Sequence, residues 1–216
     1  MTKFKLLLLL AFSLNSKYIQ AQDDSLQSLK EISLYKNLYR CSDSLNKKSL
    51  IWRLNDDVFR LADSLDKIHP AGYFIKAGEL MGNMQLNEAA FLYFVGNLRF
   101  RYYNAANPGY QASGDGALLA SFRSVLGEPI GMYLKTNIDN FIAILQKSVN
   151  WYSNHSYPFY PAGKSPDKFA EQPKRQAKQI DELTKNKDKY KSEWSQERLV
   201  FEKQIDSALE EINKHH

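Results

Sequence analysis

Arg99 and Arg101, followed at once by Tyr102 and Tyr103, are the residues of this chain whose types and spacing most directly offer chemistry. They close an apolar run, and two steps along a helix set the two guanidiniums about 200° apart around its axis. Arg99 reaches Tyr102 at three residues and Tyr103 at four, so a guanidinium can stack on a ring. One reading is an anion or carboxylate clamp, or an Arg/Tyr hot spot for a protein partner. The other is that each Arg neutralises an acid at the core edge, such as Asp115, Glu128 or Asp139. The second carries more weight, because a partly buried guanidinium with no counter-charge is very costly.

Tyr157-Pro158-Phe159-Tyr160-Pro161 is the second candidate binding element. Pro lowers the cost of ordering the backbone, and Tyr157, Phe159 and Tyr160 offer large contact area. Either the rings meet a partner or they fold back onto the domain.

Other chemistries find little support. His69, His155, His215 and His216 show no ligand spacing with one another or with Cys41, so no metal site is expected. There is no Gly-x-Ser-x-Gly, and Ser113 lies in a turn sequence with no base marked beside it. Cys41 with His69 or His155 is a pairing that any chain with one Cys and several His permits. Gly109, Gly114 and Gly116 do not form a phosphate-binding loop, and no cofactor is expected. Carboxylates are the harder exclusion: Glu79, Glu88, Asp115, Glu128 and Asp139 lie in the aromatic-rich half. Two of them facing each other across a cleft would cleave a glycan, but capping and ion pairing are simpler roles for each.

The element that positions the two arginines is Asn87–Tyr103, NEAAFLYFVGNLRFRYY. It is apolar on nearly every side, so as a helix it must be enclosed by other elements. Asn87 reads as its N-cap, and Glu88 suits the positive end of the helix dipole. Tyr73–Gly82 forms the preceding helix, with Asn83-Met84-Gln85 as a tight connection. Upstream, apolar residues at three- and four-residue steps predict helices from Leu26 to about Leu45 and from Leu50 to Ile68. Downstream, Asn104–Gly116 reads as a loop and Ala117–Leu126 as a helix broken by Gly127-Glu128-Pro129. Asn137–Tyr152 is helical, and Asn154–Pro166 is a loop rich in Pro and Tyr.

From Asp167 the composition turns charged. Trp194, Phe201, Ile205, Ala208 and Ile212 trace a narrow stripe on a long, mostly exposed helix. That stripe either leans on its own domain or pairs with a partner helix.

At the other end, Lys3 and Lys5, the apolar stretch Leu6–Phe12 and the Ile19-Gln20-Ala21 site before Gln22 read as a secretory signal. The chain carries 29 basic and 24 acidic residues, net +5. Without Lys3, Lys5 and Lys17 the balance falls to 26 against 24, which gives no case for nucleic-acid binding. A single Cys leaves the domain to be held by its core.

Two resemblances follow. AGELMGNMQLNEAAFLYFVGNLR is similar to one tetratricopeptide or Sel1-like helix–turn–helix unit, which implies packing geometry. The run AAFLYFVGNLRFRYY, then Gly127-Glu128-Pro129-Ile130 and Trp151, resembles an uncharacterised family of bacterial exported helical proteins over about residues 75–155. That family implies a fold and no activity.

The expectation is therefore an all-α protein: an irregular helical bundle with a central buried hairpin and a long charged C-terminal helix. Residues 1–21 would be a signal peptide, 22–162 a helical core domain, and 163–216 the charged helix, packed on the core or extending from it. The expected role is that of an exported, periplasmic or secreted, non-enzymatic module for protein interaction or inhibition, with no integral membrane segment once the signal is removed. The alternative is an envelope enzyme acting on glycan or peptide through paired carboxylates.

Overall fold

The structure, a computed structural model, describes residues 32–44, 46 and 54–214. The predicted signal peptide, its cleavage site and His215–His216 lie outside the described residues, as does the side chain of Ile212. Among the described residues the chain is all-α, as its periodicities predict. Helix α1 covers residues 32–44. It is followed by α2 (Asp56–Leu65), α3 (Ala71–Gly82), α4 (Leu86–Ala106), α5 (Ala117–Lys135), α6 (Ile138–Asn154), α7 (Pro166–Lys185) and α8 (Lys187–Lys214).

Helix α4 is the centre of the bundle, packed against α2, α3, α5, α6 and α7. Its buried residues run from Leu86 to Tyr102 and lie on every side of the helix, Phe91, Leu92, Val95, Leu98 and Phe100 among them. Burying each such side chain contributes roughly 1.5–3 kcal/mol. The hairpin with α3 is closed by Met84, whose positive φ of 58° lets the Gln85 N–H reach Leu80 O (2.9 Å) and the Met84 N–H reach Met81 O (3.0 Å). These bonds satisfy carbonyls left over at the end of α3. Gly96 allows the hairpin to close tightly, since a Cβ there would lie 2.6 Å from the Tyr73 Cβ.

Four local expectations change. Helix α4 starts at Leu86, and Asn87 is not its cap: the Asn87 Oδ1 turns inward to accept from Tyr133 Oη (2.9 Å) and Asn140 Nδ2 (2.8 Å). Two bonds in a buried setting outweigh one at a solvated helix end. The helix also runs on to Ala106, beyond the expected loop start at Asn104. Gly127-Glu128-Pro129 does not break α5, which continues to Lys135. The missing Pro129 N–H releases the Val125 carbonyl, and Val125 is 69% exposed, so water reaches that side of the helix. Finally, the charged C-terminal region is two helices. They part at Asn186, whose N–H and side chain both bond back to Glu182.

Two compact units emerge. The larger spans Cys41–Ser195. It includes α7 and the first turns of α8, where Trp194 stacks with Tyr190 and tilts onto Phe141. In the smaller, residues 32–40 of α1 meet α8 from Gln196 onward. There Phe201 lies edge-on to Tyr35 and Tyr39, Arg198 covers the Tyr39 ring, and Lys36 pairs with Asp206 at 3.0 Å. Phe201 on the stripe is thus covered by the chain's own helix.

Candidate functional site

The last turns of α4 send Arg99 and Arg101 to different neighbours, and their surroundings are opposite in character. Arg99 is 0% exposed. Its Nε donates to Asp66 Oδ1 (2.8 Å) and its Nη2 to Asp66 Oδ2 (3.0 Å), a fork-to-fork pair. Nη1 donates to Tyr152 O (3.3 Å) and Nη2 also to His155 O (3.0 Å), backbone carbonyls at the end of α6 and just beyond. The rings of Tyr152 and Tyr157 face the guanidinium at 4.9 and 4.7 Å. Asp66 also accepts from Tyr73 Oη (2.9 Å) and Trp151 Nε1 (3.3 Å). Burial raises the Asp66 carboxyl above its usual range, and Arg99 pulls the other way.

Arg99 therefore presents nothing to a partner. Its counter-charge is Asp66, and none of Asp115, Glu128 or Asp139. Asp115 faces His69 instead (3.3 Å), and Asp139 faces Lys187.

The Tyr157–Pro161 loop is held by the same cluster. Tyr157 is buried, the Phe159 N–H donates to Asp66 O (3.1 Å), and Tyr102 Oη donates to Pro161 O (2.9 Å). Tyr160 Oη donates to Ala106 O (2.9 Å), and Tyr103 packs on Phe159 and Tyr160. The loop aromatics fold back onto the domain. Tyr103, Phe159 and Tyr160 keep part of their surface in solvent.

Arg101 is half-buried and lies in a pocket of about 210 Å³. Helix α4 supplies Tyr93, Phe94, Asn97 and Arg101, α5 supplies Arg123, and α7 supplies Arg175, Gln176 and Gln179. The three arginines pair with no carboxylate among the described residues. Burial lowers the Arg101 pKa, and the charges of Arg123 and Arg175 lower it further. Such a cluster offers charge-assisted hydrogen bonds to an incoming anion, which would relieve the repulsion among the guanidiniums.

The other candidate groups are spread apart. The His69 Nδ1 accepts from the Ala71 N–H (3.2 Å) while Nε2 faces Asp115, so neither ring nitrogen has a lone pair left for base chemistry. His155 stacks on Trp151, and Cys41 is a half-buried free thiol. Glu79 takes Lys76, and Glu88 takes the Asn55 N–H (3.1 Å). No cluster of three or more His, Cys, Asp or Glu suited to a metal occurs among the described residues. No helix among them is long and apolar enough to cross a membrane.

Sequence reasoning missed Asp66 and Tyr73 beside Arg99, and Arg123, Arg175 and Gln176 beside Arg101. One faint signal existed, since Arg175 and Gln179 sit four apart and share a face of α7. No protein-family model matches the chain, and no curated protein or solved structure matches it.

Proposed function

We propose that this chain is an exported, non-enzymatic binding protein that captures an anionic group in the Arg101–Arg123–Arg175 pocket. The observation that carries this reading is the convergence of three guanidiniums from three helices with no carboxylate among the described residues. Binding fits better than catalysis because Glu79, Glu88, Asp115 and Asp139 are each engaged by a different group, and His69 has no free nitrogen lone pair. A protein-interaction or inhibitor module is the second reading. It is favoured by the exposed Leu118 and Val125, seven positions apart and so on one face of α5.

The test is a thermal-unfolding titration with pyrophosphate. A ligand at 100 times its Kd stabilises a protein by about 2.7 kcal/mol. A saturable rise in Tm is expected, weakened by high chloride and abolished in the Arg123→Gln/Arg175→Gln double variant with its helical content intact. An equal rise in that variant, or no rise in the parent chain, overturns the proposal.

A further inference from the structure

The pocket wall is not purely cationic. Gln176 is 6% exposed, and its Nε2 donates to Leu145 O at 3.2 Å. A carbonyl can only accept, so the amide orientation is settled and Oε1 is the atom left over. That oxygen bonds to nothing among the described residues. Asn97 is 5% exposed and oriented by the same logic: Nδ2 donates to Tyr93 O (2.8 Å), and Oδ1 has no partner among the described residues. Neutral amides thus line the same pocket as three cations, and of the two unpartnered oxygens it is Gln176 Oε1 that is not sealed from solvent.

A bare polyanion satisfies the guanidiniums but brings no donor to such an acceptor. A ligand that also carries O–H donors satisfies both, and a buried polar group left unpaired costs binding. The volume points the same way. At about 210 Å³ the pocket has room for on the order of seven waters at ~30 Å³ each, so a lone phosphate fills only part of it. Tyr93 and Phe94 also line the pocket and add apolar surface for an organic body. Three guanidiniums also match a dianionic phosphate better than a single carboxylate.

Building on the anion-binding reading above, we propose that the ligand is a compact phosphomonoester of a polyol or sugar. Its phosphate would lie on Arg101, Arg123 and Arg175, and a hydroxyl would donate to Gln176 Oε1.

Calorimetric titration of the purified chain with glycerol 3-phosphate, glucose 6-phosphate, methyl phosphate and sulfate tests this without any variant. At least one hydroxylated ester is expected to bind about tenfold or more tightly than methyl phosphate, with sulfate weaker still. Gln176→Met should weaken the ester more than it weakens methyl phosphate, narrowing the gap between the two. Equal affinity for all the phosphates overturns the ligand class and leaves the anion site standing. No heat with any anion overturns both. Vesicles containing phosphatidic acid separate a lipid source from a soluble one. Co-sedimentation that Arg123→Gln abolishes, with no response to the soluble esters, overturns the assignment to a soluble ester.

Discussion

Arg99 and Asp66, 33 positions apart in sequence, are joined by two parallel hydrogen bonds at 2.8 and 3.0 Å inside the core. Asp66 is the C-cap of α2, and Arg99 also holds the carbonyls of Tyr152 and His155 where α6 ends. One ion pair thus ties together α2, α4 and the start of the aromatic loop.

Removing one member of that pair leaves a buried charge without its partner. Arg99→Met is expected to cost about 3–5 kcal/mol, read as a lower urea midpoint. Replacing both partners, Arg99→Met with Asp66→Leu, should recover much of that loss. A double variant as unstable as the single one would mean that the backbone bonds of Arg99, and not its charge, hold the site.

Two tyrosine hydroxyls at the loop should behave differently. Tyr157 Oη is buried with no partner among the described residues, whereas Tyr102 Oη donates to Pro161 O. Tyr157→Phe keeps the ring over Arg99, so stability should change by less than about 0.5 kcal/mol. Tyr102→Phe should lose about 1 kcal/mol. Denaturation of the two variants side by side checks the contrast, and equal losses would contradict it.

Arg101 is held half-buried beside two like charges. Arg101→Met should therefore raise stability by about 0.5–2 kcal/mol in anion-free, low-salt buffer, while abolishing the pyrophosphate response. A loss of stability in that buffer would show that the pocket stores no electrostatic strain.

Alkaline pH should weaken the fold. Burial raises the phenols of Tyr73, Tyr133, Tyr152 and Tyr157 well above their ordinary value near 10, and lifts Tyr39 to about 12. Because the folded pKa values are raised, these groups stabilise the fold fully below about pH 10, the unfolded value. That contribution is lost as pH climbs through the folded values. Urea stability should be insensitive to these phenols from pH 7 to 9 and drop between pH 10 and 12, with phenolate absorbance appearing at the unfolding transition. Phenolate absorbance from all the tyrosines near pH 10, with the fold intact, would be the contrary result.

Much of the fold could be read directly from residue order. A stretch with Ala, Leu and aromatic residues on every side, such as 89–98, is stable in water only as an enclosed helix, and α4 is enclosed. Three- and four-residue spacing of apolar residues marked α1 and α6. Signals that depend on surroundings misled. Pro129 looks like a helix end, yet α5 passes through it because the carbonyl it strands lies on a solvated side. Asn87 looks like a cap, yet buried donors on α5 and α6 claim its side chain.

The site divides along the same line. Composition and periodicity determined that this protein is helical and that Arg99 and Arg101 leave α4 in different directions. Nothing near them in sequence distinguishes their fates. Only tertiary packing brought Asp66 to one and Arg123 with Arg175 to the other, making the first a sealed structural pair and the second an electropositive pocket. The physical reason is one of range. Helical patterning records neighbours three and four residues apart, whereas Coulomb and desolvation energies depend on distance in space, which folding alone sets.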